Sequence, residues 1–124
     1  MAKQKILARA TSPLDWPQVY ICPEGENSDG KSLKHFRAGA FLAGVPVQAV
    51  SLDHSSHQST WAWHQGYGYI LSILPVLASL YTTITLQYLP VYIPGEVERR
   101  NPDIYRENVR RYIANQLAIK LAEI

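Results

Sequence analysis

Hydrophobic and polar positions change rhythm several times along the chain. From Lys3 to Ala10 the spacing suits a short helix, which Ser12-Pro13 ends. Gln18 to Cys22 reads as a short apolar strand, and the turn signal Pro23-Glu24-Gly25 follows it directly. A polar loop leads to Ser32, whose hydroxyl is placed to cap a helix from Leu33 to Ala43, with Gly44 at its C-terminal end. Val45 to Leu52 reads as a second buried strand, with Pro46 tolerated only near its start. After a hydrophilic loop, Trp61 and Trp63 alternate with Ala62 in an extended piece, and Tyr67 to Tyr81 makes an uncharged helix interrupted by Pro75. Ile84, Leu86 and Tyr88 then alternate with Thr83, Thr85 and Gln87, the two-residue period of a strand over Thr83 to Val91. Asn101-Pro102 opens a C-terminal helix over 101–124, with Asn at the cap, Pro at the first helical position and Asp103 favourably near the dipole. Val109, Tyr112, Ile113, Leu117, Leu121 and Ile124 give it one apolar face, and Glu107 and Arg111 stand at pairing distance. Strands alternating with helices predict an α/β fold, a mostly parallel sheet with flanking helices.

Composition narrows the functional classes. The 124 residues suit one domain, and 47% apolar against 18% charged residues excludes a disordered tail. Net charge is only +2, so the basic coat of a nucleic-acid binder is absent. One cysteine forms no internal disulfide, and the start Met-Ala-Lys-Gln-Lys carries no apolar signal-peptide core. All of the Lys, Arg, Asp and Glu residues lie outside His54–Gly95. This uncharged segment, 54–95, invites a membrane-span reading, but Pro75 and the polar Thr82-Thr83 leave no continuous apolar stretch of about 20 residues. A buried helix plus strand, or contact with a bilayer surface, fits better.

Several clusters carry possible chemistry. Gly25 to Ser32 matches a phosphate-loop pattern between a predicted strand and a predicted helix, with Lys31 as its lysine. Against it, Glu24, Glu26 and Asp29 would surround a triphosphate with carboxylates. Asp53, His54 and His57 are too few for a metal site without a second cluster. Cys22 is expected to be a small buried hydrophobe.

Pro23-Glu24-Gly25, taken with Phe36-Arg37-Ala38-Gly39-Ala40-Phe41 and Val45-Pro46-Val47-Gln48-Ala49-Val50, resembles the third and fourth motifs of the glycerolipid acyltransferases. The likeness is closest to the lysophosphatidylcholine acyltransferase branch. It continues in order through Trp16-Pro17-Gln18, Thr60-Trp61-Ala62-Trp63, Leu89-Pro90-Val91-Tyr92, Arg100-Asn101-Pro102 and Asn108-Val109-Arg110-Arg111. The resemblance implies an incomplete acyltransferase domain over 1–124, its C-terminal part, with an acceptor-site turn at 23–28. The family reaction moves an acyl group from acyl-CoA, as co-substrate, to a lysophospholipid hydroxyl, with no further cofactor.

The family's general base is a His held by an Asp five positions later, upstream of the Pro-Glu-Gly turn. Here His35, His54, His57 and His64 are followed at that spacing by Ala40, Ser59, Ala62 and Tyr69, so no catalytic residue is assigned and the chain alone is expected to be inactive. Glu26 and Asn27 stand where the family has Thr-Arg, and Ala49 where its fourth motif has a second proline. By resemblance Pro23, Glu24 and Gly25 form the acceptor site, with Lys31, Lys34 and Arg37 supplying positive charge for a phosphate. A purely structural role for Glu24 is an ion pair with Arg37. The partners implied are lysophospholipid, acyl-CoA and a membrane surface. The location implied is the cytosolic face of the endoplasmic reticulum membrane or lipid droplets. Two alternatives from other classes are a non-catalytic lipid-surface module and nucleotide binding at Gly25–Ser32.

Overall fold

The computed structural model describes residues 2–25, 32–55 and 83–122, with single positions at 74, 77, 78 and 81. The chain begins with helix α1, Ala2–Ala10, and strand β1, Ser32–Leu33, follows the loop. A 3-10 turn at Ala38–Ala40 precedes the long strands β2, Val47–Ser55, and β3, Thr83–Tyr92. Helices α2, Glu96–Arg100, and α3, Pro102–Leu117, lead to strand β4, Lys120–Leu121.

The fold is mixed α/β, but the sheet is not mostly parallel. Strand β1 pairs with β4 in parallel over two residues each, whereas the extensive β2–β3 ladder is antiparallel. The alternation of Thr83, Thr85 and Gln87 with Ile84, Leu86 and Tyr88 belongs to such a ladder, because doubly covered parallel strands carry near-continuous apolar runs. The register shifts between Gln48/Val91 and Val50/Tyr88, so β3 carries one residue more than β2 across Leu89-Pro90. Proline, which has no N–H to give a ladder, is well placed at a bulge. The Gln48 side chain donates to the Leu89 carbonyl at 3.2 Å.

Two other predicted elements differ. Gln18 to Cys22 joins no strand pair among the described residues and leaves Tyr20 and Val19 exposed. Leu33 to Ala43 is not an α-helix. Phe36 and Phe41 are both core residues, and positions five apart lie about 140° from each other around an α-helix, so one helix would not bury both. A short strand, an irregular bend and the 3-10 turn bring the two rings to 6.2 Å instead. Gly44 closes the turn at φ +60, and an added Cβ would meet the Arg99 carbonyl oxygen at 3.1 Å.

The core gathers on α3. Tyr105 is fully buried and packs edge-on against Phe41 at 5.1 Å, beside Val109 and Phe36. Its hydroxyl donates to the Val45 carbonyl at 2.7 Å. The start of α3 is as predicted: the Asn101 side chain accepts from the N–H groups of Asp103 and Ile104 at 3.0 and 3.3 Å, with Pro102 first in the helix. The expected Glu107–Arg111 pair forms at 3.2 Å. The helix stops earlier than predicted, at Leu117, because Ala118 turns left-handed at φ 52 and the next residues pair with β1. No helix among the described residues is long and apolar enough to cross a membrane.

Candidate functional site

Of the predicted turn 23–28, Pro23-Glu24-Gly25 form a turn that is tied down at two points, and residues 26–28 lie outside the described residues. Gly25 N–H reaches back to the Cys22 carbonyl at 3.3 Å, and the Pro23 carbonyl accepts from Arg37 N–H at 2.8 Å. Glu24 Oε1 accepts from the backbone N–H of Lys34 at 2.9 Å. Gly25 has φ +73, and an added Cβ would lie 2.6 Å from Arg37 Nε, so the guanidinium covers the glycine. Glycine is thus required twice, by backbone conformation and by this close approach.

Of the residues singled out in the sequence, Pro23, Glu24, Gly25, Lys34 and Arg37 come together here, with Lys34 entering through its backbone. Lys31 lies outside the described residues, as does His57. The carboxylate of Glu24 goes to Lys34 N–H, in place of the envisaged ion pair with Arg37. Cys22 is exposed rather than buried, because the extended segment carrying it has no covering strand among the described residues. The phosphate-loop reading also loses its frame. Ser32, the last residue of Gly25–Ser32, opens strand β1 and not a helix whose N-terminal N–H groups would face a phosphate.

The turn stands at the edge of a cleft of about 780 Å³. Pro23 and Glu24 line it together with Trp16 and Val19 from the extended segment, and with Leu33, Phe36, Val50 and Ile113 from the core side. Its lining is largely apolar and includes Glu24 and Asp53, a composition suited to an amphipathic ligand.

A second cluster, away from the cleft, fixes the stretch from β3 to α3. The buried Glu98 carboxylate accepts from Tyr92 Oη at 2.7 Å, from Asn108 Nδ2 at 2.7 Å and from Gly95 N–H at 2.6 Å. Burial alone raises its pKa, but these hydrogen bonds outweigh burial and hold it below the ordinary value. Tyr92 is pushed up to about 12, by burial first and then by its bond to Glu98. Tyr105 is also raised to about 12, by burial and then by the negative charge of Glu98.

Sequence reading assigned no role to two arginines of α3, Arg106 and Arg110, the second appearing only within the Asn108–Arg111 run. Arg110 is 4% exposed and spends its guanidinium on the carbonyls of Leu33, Lys34 and Ala122. The available signal was their spacing of four beside the apolar positions Tyr105, Val109 and Ile113.

The turn thus brings a carboxylate and a guanidinium together beside a largely apolar cleft. The chain is homologous to a segment of the lysophospholipid acyltransferases. It is 42% identical over 123 residues to human lysophospholipid acyltransferase LPCAT4, covering 97% of this chain and 23% of that protein. Human lysophosphatidylcholine acyltransferase 1 is 38% identical over 122 residues, 97% of this chain and 23% of the relative. Mouse lysophosphatidylcholine acyltransferase 2B is 37% identical over 123 residues, 98% of this chain and 24% of the relative. The chain therefore spans less than a quarter of the length of these relatives. No family model matches it, and no solved structure matches it significantly.

Proposed function

We propose that this chain forms the acceptor-binding part of a lysophospholipid acyltransferase. The observation that carries the reading is Glu24, fixed through Oε1 to Lys34 N–H in the lining of the apolar cleft. A carboxylate offers about four acceptor positions and one N–H takes one, so Glu24 retains capacity to accept from a glycerol hydroxyl. Arg37, lying across Gly25, supplies a cation for the lipid phosphate, and the cleft takes the apolar chain. In the family reaction the hydroxyl oxygen attacks the acyl-CoA thioester, the carbon–sulfur bond breaks and the hydroxyl proton passes to a base. None of the four histidines here has the family's Asp spacing, so these residues hold and orient the acceptor while the base comes from elsewhere. Replacing Glu24 by Ala should weaken lysophosphatidylcholine binding about ten-fold, the loss of one charge-assisted hydrogen bond. Titration followed at the amides of Pro23's neighbours, Cys22 and Glu24, tests this; unchanged affinity contradicts the assignment.

A membrane-surface setting is part of the same reading. The charge-free run His54–Gly95 and the exposed Leu86 and Tyr88 support contact with a bilayer at the cytosolic face of the endoplasmic reticulum or a lipid droplet. A non-catalytic lipid-surface module shares this property and differs only in lacking turnover when joined to a base.

A further inference from the structure

The acceptor turn does not hold itself in place. Its anchors, the Lys34 and Arg37 N–H groups, belong to a bend between β1 and the 3-10 turn that is neither helix nor strand. Each N–H shares a peptide unit with a carbonyl, and in a trans peptide the two point in opposite directions. The Lys34 N–H shares its unit with the Leu33 carbonyl, which accepts from Arg110 Nη2 at 2.9 Å. The Arg37 N–H shares its unit with the Phe36 carbonyl, which accepts from Arg106 Nη1 at 3.2 Å. Two peptide units are thus clamped the same way, with an arginine of α3 on one side and the Pro23-Glu24 turn on the other.

We infer that Arg106 and Arg110 are positioning residues for the acceptor turn, acting on it through the Leu33–Lys34 and Phe36–Arg37 peptide units. The inference rests on the acceptor reading of Glu24 for its functional meaning, but the clamp is independent of it. Spacing of four places both guanidiniums on one side of α3, one turn apart. Arg110 also holds the Lys34 carbonyl through Nε at 2.9 Å and the Ala122 carbonyl through Nη2 at 2.8 Å, so rotation of the bend would break several bonds at once. A carbonyl that accepts from a cation polarises its peptide, which makes the opposite N–H a stronger donor to Glu24 and Pro23. Lysine would not substitute: its point charge on a flexible stem lacks the planar fork that spans adjacent carbonyls. Burying a guanidinium is costly, and among the described residues its one carboxylate partner, Glu107, lies at 3.4 Å, so the geometry it fixes is the gain.

Amide hydrogen exchange read residue by residue by NMR tests the clamp on the intact chain. Arg110→Met should speed exchange at Lys34, and Arg106→Met at Arg37, each about ten-fold or more, while amides within α3 such as Val109 and Ile113 keep their rates. Arg110→Lys should behave like Arg110→Met. Glu24→Ala should speed Lys34 alone and leave α3 untouched, which provides a reading even if Arg110→Met fails to fold. Unchanged rates at Lys34 and Arg37, or uniform acceleration across the chain with Arg106→Met, would overturn the inference. Lysophosphatidylcholine titration separates it from the acceptor reading. If the clamp is present and serves the acceptor, Arg110→Met weakens binding as Glu24→Ala does, and the double variant binds no worse. If the exchange pattern appears but Glu24→Ala binds normally, the clamp stands and the acceptor reading falls.

Discussion

Glu98 shows how a single buried charge holds the polypeptide that follows β3. Three donors converge on its carboxylate, so Glu98→Gln, which turns one acceptor oxygen into a donor facing donors, should lower stability by about 2 kcal/mol. Chemical denaturation of the two proteins at neutral pH measures this. The pH dependence has a definite sign at each end. Folding favours the ionised Glu98, so its contribution is complete above the ordinary carboxyl value of 4.5 and is lost as pH falls below it. Folding favours the protonated phenols of Tyr92 and Tyr105, so their contribution is complete below 10.0 and is lost as pH rises from there towards about 12. The urea midpoint should therefore decline at both extremes, and Tyr92→Phe should reduce the alkaline decline. At this scale Pro23-Glu24-Gly25 was legible, because turn residues act locally. The partners of Arg110 were not, because Leu33 and Lys34 lie more than seventy positions away; local spacing marks only the side of the helix it shares with Arg106.

Among the elements, α3 is the one whose signals were most complete and whose ends are most open to test. Asn101→Ala removes an acceptor shared by two N–H groups and should cost about 1 kcal/mol. Ala118→Gly should do the opposite, since φ 52 strains an alanine; a gain of roughly 0.5–1 kcal/mol in thermal or urea unfolding is expected. Helix α1, strand β3 and the start of α3 were readable from capping residues and periodicity. The direction of pairing was not: alternation identifies a strand's two faces, and its partner is chosen by packing far along the chain. The region Leu33–Ala43 misled for a related reason. Its composition suits a helix, but the demand that both Phe36 and Phe41 reach the core overrides local propensity.

The whole molecule buries its aromatic centre well and leaves much apolar surface outside it. Trp16, Tyr20, Ile84, Leu86 and Tyr88 are all exposed, along the extended segment and the outer part of the β2–β3 ladder. Among the described residues this two-stranded ladder has little cover and is marginal in water, so the isolated chain should bind hydrophobic dyes and associate with phospholipid vesicles. Carbonate extraction should release it from those vesicles; resistance would argue for insertion instead. The homologous relatives are more than four times its length. The most direct test of the account replaces the matching segment of human lysophospholipid acyltransferase LPCAT4 with this chain and measures acyl transfer from acyl-CoA to lysophosphatidylcholine. The chimera should turn over above the background of untransfected membranes, and Glu24→Ala within it should lower the rate at least about ten-fold at equal expression. A well-expressed chimera whose rate is unchanged by Glu24→Ala would contradict the acceptor-turn account.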